Sequence, residues 1–372
     1  MLRLIRRVEP LALLGCFFLS GLAALIYQTA WLRQFSLVFG TSELAVATVL
    51  AAYMSGLALG AGLAARFAGR ITRPVLVYGL LEAGIALSAL AVPLLLLLAD
   101  WLYASALGGR ADLPNAWTLG QPIFYLGVAF VVLATPTALM GATLPCLTRH
   151  FIRSDDEVGP RVAVLYATNT AGAVVGTLLT AFVLLPKLGL NGTVFTGVGI
   201  NALIFVLVLP FARIPEESIT RQTPAAAGSA VEAGHPGRRI VLSLMLVSGA
   251  ATFFYEVLWT RILAHVLGGS VYAFATMLAA FLTGIAAGGA LGGLLAKDAS
   301  RARLAFVIAQ IAIAGLAASV YAGMQGLLPG TRDSFSLATY AFAVMLPATF
   351  FIGCTYPIAV RVITPDERSA AK

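Results

Sequence analysis

Residues 20–33 read S-G-L-A-A-L-I-Y-Q-T-A-W-L-R, and residues 248–261 repeat the pattern as S-G-A-A-T-F-F-Y-E-V-L-W-T-R. Both stretches are apolar enough to form a helix inside a membrane. The whole chain shares this character, with 60% hydrophobic residues, 11% charged residues and a mean hydropathy of +0.93. Soluble domains carry about 25% charged residues. We therefore expect an all-α polytopic membrane protein.

The chain contains about ten apolar runs that are each long enough to cross a bilayer. A hydrocarbon core about 30 Å thick needs roughly 20 apolar helical residues. The predicted spans are 10–32, 43–66, 74–98, 122–148, 159–185, 192–212, 240–262, 270–296, 303–327 and 337–361.

The net charge of +8 is distributed unevenly over the loops between these spans. If the N-terminus is cytoplasmic, five of the 24 basic residues fall on the outer side and the other nineteen on the cytoplasmic side. The five are Arg33, Arg110, Lys187, Arg261 and Arg332. This asymmetry follows the positive-inside rule. The charge thus indicates orientation and affinity for anionic lipid headgroups rather than nucleic-acid binding, and we expect both termini to be cytoplasmic.

The opening stretches belong to a longer internal duplication. Residues 20–66 laid without gaps on 248–294 give 19 identities in 47 positions. Six predicted spans separate equivalent points, so both copies enter the membrane in the same direction. Such parallel repeats are typical of major-facilitator-like transporters. We predict a first six-helix repeat over 1–212, a cytoplasmic linker over 213–238 that is rich in Ala, Pro and Gly, and a second, four-helix repeat over 239–372.

Three motifs carry a resemblance to a known family. They are S-G-x-x-x-x-x-Y-[EQ]-x-x-W-x-R in both copies, the G-T-S-E-L-A run at 40–45, and L-Y-A-T-N-T-A-G-A at 165–173. Together with the glycine-rich second helix, they resemble the membrane half of bacterial fused major-facilitator-like/spermidine synthase proteins. The resemblance implies a multi-pass protein of the bacterial inner (cytoplasmic) membrane.

Members of that family usually continue into a cytoplasmic polyamine aminopropyltransferase-like domain. The second repeat stops before counterparts of the fifth and sixth helices, so we expect the last two helices and the synthase domain to be absent from this chain. We find no nucleoside-binding loop and expect no catalytic residue, cofactor or metal site in these 372 residues.

Two functions of different classes remain open. One is a membrane module that anchors a synthase-like domain or protein, or feeds substrate to it. The other is a transporter-like bundle that binds a small solute, such as an organic cation or a polyamine, between its repeats. Besides membrane lipids, the partners would be a synthase-like domain or a small molecule of unknown identity.

The candidate site residues are the polar and aromatic side chains within the predicted spans. Acids inside a membrane are costly and point to function, so Glu82 and Glu256 are the leading candidates for a polar cavity. We expect Glu256 to face the bundle interior or a cavity on the extracytoplasmic side, paired with a polar or cationic side chain. The remaining candidates are Gln28, Tyr27, Tyr255, Trp31, Trp259, Arg33, Arg261, Asn169 and Gln310.

Each of these residues also has a structural interpretation. The tyrosines and tryptophans of the repeated motif could form an interfacial belt, with Arg33 and Arg261 reaching the headgroups. Asn169 and Asn201 could join helices through hydrogen bonds. The spaced glycines of G-L-A-L-G (56–60) and G-I-A-A-G (284–288) predict close helix packing, and the three scattered cysteines predict packing residues rather than a metal site.

Overall fold

A computed structural model of the chain describes residues 2–39, 43–106, 120–151, 158–212, 236–267, 271–295, 299–325 and 334–363. Every regular element in these ranges is helical, which confirms the predicted all-α class. A 3₁₀ turn, Ala68–Arg70, follows α2, and a π-helical segment, Thr180–Leu184, joins α5 to α6. The α-helices are α1 (Leu2–Phe39), α2 (Glu43–Phe67), α3 (Pro74–Ala106), α4 (Gly120–Phe151), α5 (Val158–Leu179), α6 (Leu185–Ala212), α7 (Pro236–Leu267), α8 (Val271–Leu295), α9 (Ala299–Gln325) and α10 (Ser334–Ile363).

Nine helical stretches in the described part of the chain are long and apolar enough to cross a membrane, where the sequence predicted ten. The difference lies in Val164–Ala212, which runs for 49 residues without a loop. At about 1.5 Å per residue this stretch is more than twice as long as one crossing requires. Gly189 interrupts it with φ 66° and ψ −172°, a conformation that glycine adopts without strain. The predicted gap between spans 159–185 and 192–212 is therefore a glycine break inside a helical stretch.

The chain divides into two compact units. Unit 1 comprises Met1–Phe151 and Leu179–Thr220, and unit 2 comprises Ile152–Leu178 and Arg221–Lys372. Among the described helices, α1 to α4 and α6 belong to unit 1, whereas α5 and α7 to α10 belong to unit 2. Most of the predicted linker, 213–238, lies outside the described residues, because α7 begins at Pro236. The linker and the repeat boundaries stay predictions.

In unit 1, α2 and α4 pack together through glycine. A Cβ atom at Gly60 would collide with the carbonyl oxygen of Ala138, and one at Gly141 would collide with the carbonyl oxygen of Leu57. The two backbones are thus in direct contact, which a side chain at either glycine would prevent. The close packing predicted for G-L-A-L-G is confirmed.

Unit 2 contains an equivalent contact between α8 and α10. A Cβ atom at Gly288 would collide with the carbonyl oxygen of Phe350, and one at Gly353 with the carbonyl oxygen of Ile285. In the self-alignment Gly288 is the counterpart of Gly60, and G-C-T-Y-P, which contains Gly353, is the counterpart of G-A-T-L-P, which contains Gly141. The same backbone contact therefore occurs at matched positions in both units, which supports the predicted duplication.

The three cysteines are buried in separate helices and form no disulfide. They are Cys16 in α1, Cys146 in α4 and Cys354 in α10. The Cys146 thiol donates to the carbonyl oxygen of Pro74 at 3.1 Å, and Cys354 packs in an apolar cluster of unit 2. The prediction that these cysteines are packing residues is confirmed.

We predict that Gly60→Ala destabilises the protein. The added methyl group would force α2 away from α4, and overpacking of this kind costs about 1–3 kcal/mol. Thermal unfolding of the purified chain in detergent, followed by its helical circular dichroism, measures the loss. Gly62→Ala is the matched control, because a Cβ atom there meets nothing within 4 Å. Equal unfolding midpoints for the two variants would contradict the expectation.

Candidate functional site

A buried chain of hydrogen bonds joins three helices of unit 1 at Glu82. The Glu82 side chain on α3 is 0% exposed, and its Oε2 accepts a hydrogen bond of 2.5 Å from Nδ2 of Asn201 on α6. Oδ1 of Asn201 in turn accepts a hydrogen bond of 2.8 Å from the hydroxyl of Tyr27 on α1. Tyr27 and Asn201 are also fully buried. The three side chains form a continuous polar path inside an apolar bundle.

Two further polar side chains lie beside the same carboxyl group. They are Ser20 on α1 and Tyr78 on α3. Tyr78 is four residues before Glu82, so the two side chains share one face of α3, and the Tyr78 ring packs edge-on against Phe17 with 6.3 Å between centroids. The Oε1 atom of Glu82 and the hydroxyl of Tyr78 are buried without a hydrogen-bond partner of standard geometry. Oε2 of Glu82 is thus hydrogen-bonded to Asn201, whereas Oε1 has no hydrogen bond of standard geometry.

Gly197 allows Tyr27 to occupy this position. A Cβ atom at Gly197 on α6 would lie 2.8 Å from two atoms of the Tyr27 ring, so the ring rests directly on the α6 backbone. Asn201 is one helical turn further along α6 and therefore meets the hydroxyl at the far end of the same ring. Gly197 and Asn201 together position Tyr27.

The aromatic residues of the repeated motif are packed inside the protein. Tyr27 stacks on Trp31 at 5.0 Å in unit 1, and Tyr255 stacks on Trp259 at 5.4 Å in unit 2. Tyr27, Trp31 and Trp259 are fully buried, and Tyr255 is half-buried. The interfacial-belt interpretation is therefore wrong for the three buried rings, because protein atoms cover the faces that headgroups would contact.

The arginines that end the motif are exposed, unlike its aromatic rings. Arg33 on α1 and Arg261 on α7 are both exposed. Each lies two residues beyond a buried tryptophan of its own helix, where a long side chain can extend toward the membrane surface. The expectation that both arginines reach the headgroups stays a prediction.

Glu256 and Gln28 occupy the same position in the two copies of the motif, and both are buried. Glu256 is 4% exposed and Gln28 is 3% exposed. Oε1 of Glu256 and Nε2 of Gln28 are buried without a hydrogen-bond partner in the described residues. Glu256 thus faces protein as expected, but the predicted polar or cationic partner is not found in this part of the chain.

Gln310, the counterpart of Glu82, is hydrogen-bonded within unit 2. Its Nε2 donates to Oγ of Ser248 on α7 at 3.0 Å. Ser248 is the counterpart of Ser20, which lies beside Glu82 in unit 1. The serine and the glutamate or glutamine are therefore neighbours in both units. Asn169, on α5 of unit 2, is half-buried.

The structure thus joins only some of the candidate residues. It connects Tyr27 to Glu82 through Asn201 in unit 1 and pairs Gln310 with Ser248 in unit 2. Neither of these hydrogen-bonded groups includes Glu256 or Asn169. Sequence reasoning missed Tyr78, Ser20 and Gly197. Tyr78 could have been found as the polar residue one turn before Glu82, and Ser20 as an identity between the copies. Gly197 has no comparable signal in the sequence, because it lies on a helix with many other small residues.

We predict that Gly197→Ala lowers the stability of the folded protein by displacing Tyr27. The new methyl group has to displace the ring and break its hydrogen bond to Asn201, at a total cost of about 1–3 kcal/mol. A double-mutant cycle measured by thermal unfolding tests the cause, because Tyr27→Ala creates space and should remove most of the cost of Gly197→Ala. Gly199→Ala is the control, since a Cβ atom there meets nothing. Equal costs in the two backgrounds would show that Tyr27 is not involved.

Comparison with known proteins gives one distant similarity. The chain is 30% identical over 190 residues to "Polyamine aminopropyltransferase 2" of Streptomyces coelicolor. The matched stretch covers 50% of this chain but only 31% of the relative. No family model matches the chain, and no solved structure matches it. A membrane-type helical bundle is thus similar, over half of its length, to part of a polyamine aminopropyltransferase.

Proposed function

We propose that the chain is the membrane-embedded module of a spermidine synthase-like protein in the bacterial cytoplasmic membrane. It would anchor a cytoplasmic aminopropyltransferase-like domain or protein, or feed substrate to it, with both of its own termini in the cytoplasm. The similarity over 190 residues to a polyamine aminopropyltransferase carries this assignment. Nine helical stretches in the described part of the chain are long and apolar enough to cross a membrane, which supports an anchoring role.

Similar contacts at matched positions of the two units support the same assignment. Backbone contacts at Gly60 and Gly288 occupy matched positions, and so do the ring pairs Trp31–Tyr53 and Trp259–Phe281. We infer a major-facilitator-like pair of parallel repeats, an architecture typical of proteins that bind small solutes.

We predict that aminopropyltransferase activity co-purifies with this chain from its native membrane. The eluate should form spermidine from putrescine and decarboxylated S-adenosylmethionine. The same chain produced recombinantly in a polyamine-synthase-deficient host should form none, because we expect its residues to contain no nucleoside-binding loop. The measurement is spermidine formed per mole of chain.

The control is an unrelated multi-pass protein carrying the same tag and purified from the same membrane. Activity that elutes equally with both proteins would contradict the proposed association. Stoichiometric activity of the recombinant chain alone would contradict the assignment of catalysis to another domain.

A second candidate function is transport of an organic cation such as a polyamine. The buried carboxyl group of Glu256 favours it, because Oε1 has no hydrogen-bond partner in the described residues. An ammonium group is a strong donor that can supply the missing partner. Buried acids inside a membrane commonly mark such pathways.

We predict that, if the chain transports polyamines, Glu256→Ala lowers uptake of labelled spermidine into proteoliposomes about tenfold or more. The reason is that loss of even ~1.4 kcal/mol of binding energy changes affinity tenfold. Gln28→Ala is the matched control, because Gln28 occupies the same position of the other repeat and is equally buried. Equal losses in the two variants would argue against a cation site at Glu256, and absence of wild-type uptake would rule out this second function.

A further inference from the structure

The groups around Glu82, here called the Glu82 cluster, are Asn201, Ser20 and Tyr78. They can form hydrogen bonds with a carboxyl group that is either protonated or ionised. Asn201 offers both an amide donor and a carbonyl acceptor, and the Ser20 and Tyr78 hydroxyls each donate and accept. An ionised Glu82 can accept hydrogen bonds from all three groups. A protonated Glu82 can keep the bond from Asn201 on Oε2 and donate its own proton from Oε1 to a hydroxyl oxygen. Neither state leaves the carboxyl group without a partner nearby.

The surroundings of Glu82 contain titratable groups but no basic one among the described residues. Cys16 and Tyr27 face it from α1, and Tyr78 faces it from its own helix. From α6 it meets the neutral amide of Asn201, and α4 packs on α3 with the apolar side chain of Leu139 against Gly84. None of these neighbouring groups carries a fixed positive charge that would stabilise the ionised form of the Glu82 carboxyl group.

Unit 2 shows that an uncharged side chain fits at the matched position. Gln310 stands in the place of Glu82 and bonds to Ser248, the counterpart of Ser20. A glutamine amide has nearly the shape of a protonated glutamic acid and also carries one acceptor and one donor end. The Gln310–Ser248 pair therefore resembles the Glu82–Ser20 pair with a protonated glutamic acid. Unlike that acid, the glutamine amide cannot release a proton.

We propose that Glu82 is a reversible proton-binding site whose occupancy reverses the hydrogen bond between its Oε1 and a neighbouring hydroxyl, that of Ser20 on α1 or Tyr78 on α3. Binding forms one O–H bond at Oε1 with a proton taken from water, and release returns that proton to water. Because Glu82 is 0% exposed, exchange of this proton with water requires a local opening of the protein around the carboxyl group. This site operates in the same way whether the chain serves a synthase or transports a solute.

Infrared difference spectroscopy of the full chain in liposomes, titrated across neutral pH, tests the site. We expect a carbonyl band of a protonated carboxylic acid that appears on acidification, shifts in D₂O and is absent in Glu82→Gln. Glu256→Gln is the matched control, because it removes the other acid that is buried among the described residues and should leave the Glu82 band unchanged. The readout requires neither transport nor enzyme activity, so it is independent of both functions proposed above.

A folding check on Glu82→Gln and one additional variant ensure that the experiment can decide. Glu82→Gln should fold, because Gln310 shows that an amide suits the position, and circular dichroism checks this. If it does not fold, Tyr27→Phe serves instead, since loss of the donor to Asn201 should shift the frequency of the Glu82 band without removing it. A spectrum of Glu82→Gln identical to the wild type would overturn the inference. So would a Glu82 band that stays constant at every pH at which the chain is folded.

Discussion

The closest helix contacts in both units are made where a glycine of one helix lies against a backbone carbonyl of its neighbour. In hydrocarbon, apolar side chains gain little by leaving lipid for protein, so helices associate through close packing and hydrogen bonds instead. Gly60 and Gly141 bring α2 and α4 into contact in unit 1, and Gly288 and Gly353 do the same for α8 and α10 in unit 2. Any side chain larger than hydrogen at these glycines would push the paired helices apart.

The polar cluster of unit 1 depends on the same principle. Tyr27 can reach Asn201 because Gly197 leaves room for the aromatic ring on the α6 backbone. Asn201 then reaches Glu82 on α3, so one acid, one amide and one phenol connect three helices. Hydrogen bonds between membrane helices contribute only about 1 kcal/mol each. The hydrogen bonds of this cluster therefore add only modestly to the stability of unit 1.

The two units differ by the exchange of glutamate and glutamine at two positions that the self-alignment matches. Unit 1 has Gln28 and Glu82, whereas unit 2 has Glu256 and Gln310. All four side chains are buried or half-buried. Glutamine keeps the shape and hydrogen bonding of glutamate but cannot ionise, so the exchange preserves packing while leaving each unit with one ionisable group of this kind at a different place. The two units thus differ chemically at positions that the self-alignment matches.

Much of this architecture follows from the sequence alone, because it rests on local composition. Apolar run length predicts the membrane helices, and spaced glycines predict close contacts such as that at Gly60. What only the tertiary structure decided is which surface each polar or aromatic residue faces. Trp31 near a helix end is compatible with headgroups or with protein, and its burial results from neighbouring helices that are distant in sequence. The partnership of Glu82 with Asn201 likewise joins residues that are 119 positions apart, and no local pattern determines such a contact.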